Sequence, residues 1–197
     1  ELAPGRWLIP NAVDLSRFSP DGGCGKEPVV LLPRNLYRNR GLHLAMEAFS
    51  QLPTRFSDYS LYIVGGDGDA GYRQELEALA AKLSLGNRVV FRGPTAHEDM
   101  PREYRRASLT LIPSLCGEGT SLSALESMAC GTPVVATRVG GLPDLPCALA
   151  EPESGALAAA ITQSLDTLGD LGARQLGAVR RGFGLQQWAA DWLKAIA

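Results

Sequence analysis

Residues 109–136 read LTLIPSLCGEGTSLSALESMACGTPVVA, and this stretch contains the pattern that decides the fold. The apolar run at 109–112 predicts a buried strand, and the glycine-rich loop after it leads into a predicted helix at 121–129. A second apolar run at 133–136 predicts the next strand. Two strands joined by a helix over so short a stretch form a βαβ unit, in which the strands lie parallel in one sheet.

The same alternation of strand and helix extends in both directions along the chain. Earlier strands are predicted at 29–32, 61–64 and 89–91, with helices at 41–52, 72–83 and 97–107. A weak sixth strand is predicted at 147–149, followed by helices at 154–168, 171–181 and 186–197. This order predicts an α/β fold of the Rossmann-like, doubly wound type, with a parallel sheet of about six strands and helices on both faces.

The composition of the chain excludes several classes of protein. Its 197 residues are 45% hydrophobic and 20% charged, which is typical of a globular domain with its own core. A net charge of −2 argues against a nucleic-acid partner, and no apolar run reaches the roughly 18 residues of a membrane helix. His43 and His97 stand alone and the four cysteines lack the spacing of a zinc site, so we expect no metal and four free thiols in a reducing compartment.

The loops that follow the strands are the candidate binding segments, because ligands of doubly wound folds bind beyond the carboxyl ends of the strands. The loop at 33–41 carries Arg34, Arg38 and Arg40 beside a helix start. Arginine binds phosphate through two parallel hydrogen bonds, and a helix N-terminus also favours anions. The loop therefore predicts a diphosphate clamp made by Arg34 and Arg40, and the alternative is a solvated basic loop.

The loop at 65–71 reads GGDGDAG and admits three interpretations. Its glycines have the spacing of a dinucleotide-binding loop, but the required acidic residue about 20 positions further on is missing. Asp67 and Asp69 have the D-x-D spacing that holds a metal in one class of sugar transferase. The third interpretation, a flexible turn between a strand and a helix, is the one we favour.

The loop and helix at 113–133 carry the densest group of candidate residues. A glycine-rich loop presents Glu118, and small residues open a helix whose free N–H groups point back toward the loop. Glu126 lies among apolar helix positions, so we expect it to be partly buried and to need a partner such as the hydroxyls of a ribose. The alternative is that Thr120 or Ser121 caps the helix and Glu126 is exposed.

Taken together, these segments resemble the family-4 retaining glycosyltransferases of GT-B fold. Residues 9–20 resemble the linker between the two lobes of that family, and Arg34 and Arg40-Gly41 stand where the family has an arginine and a Lys-Gly pair. Residues 118–126 match its E-x7-E motif, and residues 128–137 and 140–141 match the segment after it. Arg40 in place of lysine departs from the family pattern, as do Thr120 and Ser121 and a shortened stretch at 142–155.

The resemblance implies a role for each matching residue. Glu118, Arg34 and Arg40 would be the catalytic residues, with the arginines on the diphosphate of the donor and Glu118 on the hydroxyls of its sugar. Backbone groups of Gly119, Thr120, Ser121 and Leu122 would assist Glu118. Glu126 would hold the ribose, and the backbone around Phe91 and Arg92 would border the base. The family uses no metal or other cofactor.

The resemblance also implies a division of the chain. Residues 1–20 would be the interdomain linker, 21–182 the nucleotide-sugar-binding domain, and 183–197 a C-terminal helix that crosses to a missing N-terminal lobe. The chain begins with Glu1 and its first methionine is Met46, so we expect it to be a piece of a longer protein. The missing lobe would carry the acceptor site and a catalytic histidine. Trp188 and Trp192 then either form an exposed apolar patch or pack on the domain itself.

The expected function is transfer of a hexose, with retention, from a nucleoside diphosphate sugar to a glycan or lipid-linked acceptor in bacterial polysaccharide biosynthesis. The fragment alone would bind the donor and transfer nothing. A cytoplasmic location is expected, with the missing lobe as the route to the inner face of a membrane. The alternatives are a lobe of a nucleotide-sugar epimerase and a non-catalytic Rossmann-like binding module.

Overall fold

Six parallel strands form one sheet in the computed structural model, which describes residues 9–22 and 25–196. The strands are β1 (Glu27–Leu32), β2 (Ser60–Val64), β3 (Val89–Gly93), β4 (Ala107–Ile112), β5 (Val134–Thr137) and β6 (Ala148–Ala150). Their order across the sheet is β3-β2-β1-β4-β5-β6, and every neighbouring pair is parallel. The predicted fold class is confirmed, and the strand order reverses between β1 and β4.

Seven α-helices accompany the strands in the described residues. They are α1 (Leu42–Ser50), α2 (Tyr72–Lys82), α3 (Met100–Arg106), α4 (Leu122–Ala129), α5 (Ser154–Asp166), α6 (Leu168–Gly182) and α7 (Leu185–Ile196). None of these helices has the combination of length and apolarity that a bilayer span requires.

Two apolar clusters, one on each face of the sheet, form the core. Alternate residues of a strand point to opposite faces, so Val30 and Leu32 of β1 join one cluster while Val29 and Leu31 join the other. Helices α1, α2 and α5 cover the first face, and α3, α4 and α6 cover the second. In the second layer Gln175 of α6 is buried, and its amide bonds both the N–H and the C=O of Val134. This side chain therefore ties α6 to β5.

Several predicted boundaries are wrong by two or three residues. Helix α1 ends at Ser50 and not at residue 52, because Pro53 disfavours helical geometry in the residue before it. Helix α3 begins at Met100 and not at residue 97, with Pro101 in its first turn, where proline is well tolerated. Helix α6 begins at Leu168 and not at residue 171, since Thr167 alone separates it from α5.

The segment before β1 lies beside the segment that joins α6 to α7. The N–H of Val13 donates to the carbonyl of Phe183 at 2.8 Å, and Val13 forms a parallel bridge with Gly184. Val13 and Phe18 are buried in the second apolar cluster. Residues 1–8 of the predicted linker, Cys24 among the predicted free thiols, and residue 197 of the predicted last helix lie outside the described residues.

Helix α7 buries none of its described residues. Its Trp188, Trp192, Leu193 and Ile196 are exposed, and the two tryptophan rings contact each other edge to face. Of the two interpretations of this helix, the exposed apolar patch is the one that the structure supports. We call these four residues the α7 patch. Elsewhere, Cys116, Cys130 and Cys147 are free thiols, and burial raises the pKa of the Cys130 thiol to about 12, as expected of a core residue.

Candidate functional site

The reversal of strand order between β1 and β4 creates a crevice where the loops after these two strands separate. A cavity of about 380 Å³ lies there. Its walls include residues that the sequence proposed and others that it did not: Arg34, Arg40, His97, Tyr104, Leu122 and Glu126. A cavity lined by two arginines and a carboxylate can bind a ligand that carries both anionic groups and hydroxyls.

One carboxylate joins the two predicted arginines. Glu118 Oε2 lies 2.6 Å from Arg40 Nη1 and 3.3 Å from Arg34 Nη2, and it accepts a 2.6 Å hydrogen bond from the Ser114 hydroxyl. The side chains of Arg34 and Glu118 are only 8% and 7% exposed. Two cations share one anion, so the cluster keeps one uncompensated positive charge. We call Arg34, Arg40 and Glu118 the arginine–glutamate cluster.

Arg34 carries an unsatisfied donor inside this cluster. Its Nε is buried and has no hydrogen-bond partner, while Nη2 lies 3.3 Å from the Ser121 hydroxyl. Burial lowers the pKa of Arg34, and the nearby Glu118 offsets part of that effect. Guanidinium stays charged in proteins, so an anionic oxygen is the partner that would satisfy this buried group.

Of the three arginines in the loop after β1, Arg38 does not join the cluster. It is exposed and forms a two-point ion pair with Glu75 of α2. In the adjacent loop at 65–71, Asp69 accepts a hydrogen bond from the N–H of Arg38, and Asp67 lies 4.0 Å from Arg73. The favoured interpretation of that loop as a turn agrees with these contacts. Within 9–22 and 25–196, no group of three His, Cys, Asp or Glu side chains is placed to hold a metal.

The second predicted carboxylate, Glu126, is only 7% exposed on α4 and is held by two protein donors. The buried Tyr104 hydroxyl donates to Oε2 at 2.9 Å, and His97 Nε2 lies 2.7 Å from Oε1. Burial, with the nearby negative charge of Glu126, raises the pKa of Tyr104 well above its usual value, so this hydroxyl stays a donor. Glu126 is buried and partnered, as expected, so the alternative of an exposed Glu126 is wrong. His97, which stands alone in the sequence, has this carboxylate as a partner in the fold.

The start of α4 lacks the side-chain cap that the alternative interpretation required. Ser121 occupies the cap position, but its side chain makes no capping hydrogen bond. Its hydroxyl instead accepts a hydrogen bond from Arg34 Nη2. Thr120 offers its carbonyl to the side-chain amide of Asn11 at 3.0 Å, which connects the loop to the segment before β1. Leu122 is exposed and lines the cavity.

Phe91 and Arg92, which were predicted beside a base, do not line the cavity. The guanidinium of Arg73 stacks over the Phe91 ring, with its Cζ atom 5.1 Å from the ring centroid. The Nη2 atom of Arg92 lies 3.7 Å from Glu103 Oε1. The chain reaches the cavity wall slightly later, at Pro94 and Thr95. Backbone groups that border a base in this cavity would therefore belong to the loop after β3, and not to the strand itself.

Two close backbone approaches fix the loop that carries Glu118. A Cβ on Gly140 would lie 2.1 Å from the carbonyl oxygen of Glu118, and the N–H of Gly141 donates to that same oxygen. On the other side, a Cβ on Gly41 would lie 1.9 Å from the carbonyl oxygen of Pro113. Both Gly41 and Gly140 have positive φ, so a side chain there would meet strain as well as a clash.

The chain matches the family described as glycosyl transferases group 1 over residues 19–166. It belongs to this family. The match covers the sheet, the arginine–glutamate cluster and Glu126. Family membership favours a transferase over the epimerase and the non-catalytic module.

Relatives of this group 1 domain carry glycosyltransferase names. A GDP-mannose-dependent alpha-(1-6)-phosphatidylinositol monomannoside mannosyltransferase of Mycolicibacterium smegmatis is 32% identical, covering 93% of this chain and 51% of the relative. The structure of sucrose-phosphate synthase from Thermosynechococcus elongatus is 31% identical, with a TM-score of 0.83 over 95% of this chain and 51% of that one. Anabaena HepE in complex with UDP-glucose is 26% identical, with a TM-score of 0.81 over 94% and 57%.

The group 1 domain described here spans about half the length of these three relatives. The six-stranded, doubly wound sheet of this chain matches the fold of GT-B glycosyltransferases.

Substituting Gly140 tests whether its close approach fixes the Glu118 loop. Gly140→Ala places a Cβ against the Glu118 carbonyl, whereas Gly86→Ala has a similar positive φ with nothing within 4 Å. Both changes carry the strain of positive φ, about 1–2 kcal/mol. We expect Gly140→Ala to lose about 1–3 kcal/mol more in urea-unfolding free energy because backbone must move. Equal losses in the two variants would show that the approach is unimportant.

Proposed function

We propose that this chain is the nucleotide-sugar-binding lobe of a family-4 retaining glycosyltransferase, which transfers a hexose from a nucleoside diphosphate sugar to a glycan or lipid-linked acceptor. The observation that carries the proposal is that Arg34, Arg40 and Glu126 line one cavity at the point where the strand order reverses. The residues at 118–126 have the family spacing, and the arginines fit the diphosphate of such a donor.

The arginine–glutamate cluster is arranged to bind an anion, because the Glu118 carboxylate already occupies the position that a diphosphate oxygen would take. In the unliganded chain Glu118 neutralises one of the two guanidinium charges. A diphosphate would take the place of that carboxylate on Arg40 and satisfy the free Nε of Arg34. During transfer the same two arginines would stabilise the negative charge that develops on the leaving diphosphate.

The proposed roles of the remaining residues follow from their positions. Once released from Arg40, Glu118 would accept hydrogen bonds from hydroxyls of the sugar. The first N–H groups of α4 have no partners within the helix, and with the backbone at Gly119 to Leu122 they would donate to oxygens of the donor. Glu126 would bind the ribose, and the loop after β3 would border the base. No metal or other cofactor takes part in this scheme.

The division into linker, domain and crossing helix is part of the same proposal. Val13 and Phe183 pair side by side, which supports two connections from this domain to one further lobe. The exposed α7 patch supports a helix that another lobe covers. That lobe would bring the acceptor site and a catalytic histidine, so the present chain would bind donor without transferring sugar. The complete enzyme would act in the cytoplasm, and its other lobe would be the part that contacts a membrane.

The names of relatives suggest which donors to test first. GDP-mannose stands in the name of the mannosyltransferase relative, and UDP-glucose is bound in the HepE structure. Arg40 replaces the lysine usual in the family, and Thr120 and Ser121 replace an aromatic residue and a glycine, so the sugar has to be determined directly.

Titration of the chain with GDP, UDP and ADP tests the diphosphate site. We expect one of the three to bind, and we expect Arg40→Ala to weaken its binding by about 1–3 kcal/mol, the cost of a charged hydrogen bond. Arg38→Ala is the matched control, since this arginine of the same loop pairs with Glu75 outside the cavity. Calorimetry would contradict the proposal if the two variants bound the nucleotide equally well.

Substituting Glu118 tests the exchange between carboxylate and diphosphate. Glu118→Gln removes the internal anion, so inorganic pyrophosphate should bind about threefold to tenfold more tightly, the effect of one charge at close range. Glu75→Gln, which removes the exposed partner of Arg38, should leave pyrophosphate binding unchanged. Weaker pyrophosphate binding by Glu118→Gln would mean that Glu118 supports the arginines instead of occupying the anion site.

A further inference from the structure

The loop between β3 and α3 brings a histidine to the second carboxylate of the site. His97 lies in this loop, 29 residues before Glu126 in sequence, and its Nε2 lies 2.7 Å from Glu126 Oε1. Its ring rests against the buried Phe18 ring, with centroids 5.4 Å apart. An ionised carboxylate only accepts hydrogen bonds, so the Nε2 atom of His97 carries the hydrogen. Both residues line the cavity.

The donors on Glu126 are divided between its two oxygens. Tyr104 binds Oε2 and His97 binds Oε1, so neither oxygen takes both protein donors. A carboxylate oxygen has room for about two hydrogen bonds, which leaves one position open on each oxygen. With one fixed donor on each oxygen, the plane of the carboxylate cannot rotate freely. Two neighbouring hydroxyls, one to each oxygen, are the ligand that fits the two open positions.

The two donors differ in how they are supported. Tyr104 is a residue of α3 that is buried in the second apolar cluster, so changing it would disturb packing as well as the hydrogen bond. The His97 side chain is 61% exposed, and its ring contacts the Phe18 ring. Removing the His97 side chain therefore takes one hydrogen bond away from the Glu126 carboxylate while leaving the core intact.

We infer that His97 is a positioning residue, which fixes the Glu126 carboxylate so that it recognises the two adjacent hydroxyls of the donor's ribose. This inference rests on the proposed function, because it needs a nucleotide whose ribose reaches Glu126. His97 acts through Glu126 and has no contact of its own with the diphosphate. Its effect is confined to ligands that carry the hydroxyl pair.

The test compares nucleotides with and without that pair. GDP and UDP are titrated beside 2′,3′-dideoxy-GDP and 2′,3′-dideoxy-UDP, using the unmodified chain, His97→Ala and His97→Gln. His97→Ala should weaken binding of the ribonucleotide about threefold to tenfold, the range for one hydrogen bond, and leave the dideoxy nucleotide within about twofold. His97→Gln keeps an N–H donor and should recover part of the loss. His43→Ala, at the other histidine, which contacts Tyr72, is the matched control.

Each other outcome overturns a distinct part of the account. Equal weakening of ribonucleotide and dideoxy nucleotide would mean that His97 merely supports its loop. Tighter ribonucleotide binding by His97→Ala would mean that His97 competes with the ribose for Glu126. Unchanged ribonucleotide binding would remove any role for His97. If the unmodified chain bound none of GDP, UDP and ADP, the proposed function would fall, and the inference about His97 with it.

Discussion

The ion cluster of Arg34, Glu118 and Arg40 is the interaction on which the rest of the site depends. Charges this deeply buried are costly unless they are paired and hydrogen-bonded. Glu118 pairs with both arginines, and Ser114 adds a hydroxyl to the same oxygen. These contacts span the gap between the loops after β1 and β4, so they hold the two sides of the crevice together. The remaining positive charge then favours an anionic ligand.

The topology of the sheet explains why this cluster lies where it does. Reversal of strand order between β1 and β4 leaves a crevice beyond their carboxyl ends. Gly140 and Gly141, in the loop after β5, make close backbone contacts that hold the Glu118 loop in place. Gly41 lets the loop after β1 approach the backbone of Pro113. Elements far apart in sequence thus fix one carboxylate, and a change at any of them reaches the site.

Local patterns in the sequence were sufficient for the sheet and for part of the site. Apolar runs marked all six strands because a parallel sheet buries both faces of each strand. Arg34, Arg40 and Glu126 were predicted to lie near one another because the segments that carry them follow neighbouring strands, and all three line the cavity. For Trp188 and Trp192 the sequence left two interpretations open, and the structure supports the exposed patch.

Contacts between distant segments were beyond the reach of those patterns. His97 and Glu126 are joined by folding alone, and no spacing signal links a loop histidine to a helix carboxylate. The pairing of Gln175 with Val134 belongs to the same class. The resemblance assigned Glu118 to the hydroxyls of the donor sugar. Its ion pair with a buried arginine depends on how the loops pack together, which the sequence does not show. Helix ends shifted for a different reason, since proline and backbone geometry set them more than apolar spacing does.

A crystal structure of the chain with bound GDP or UDP tests the central claim most directly. The account predicts diphosphate oxygens within hydrogen-bond distance of Arg34 Nε and Arg40, ribose hydroxyls on Glu126, and Glu118 moved away from Arg40. Nucleotide phosphates bound elsewhere on the domain, with the Arg40–Glu118 ion pair still intact, would contradict it.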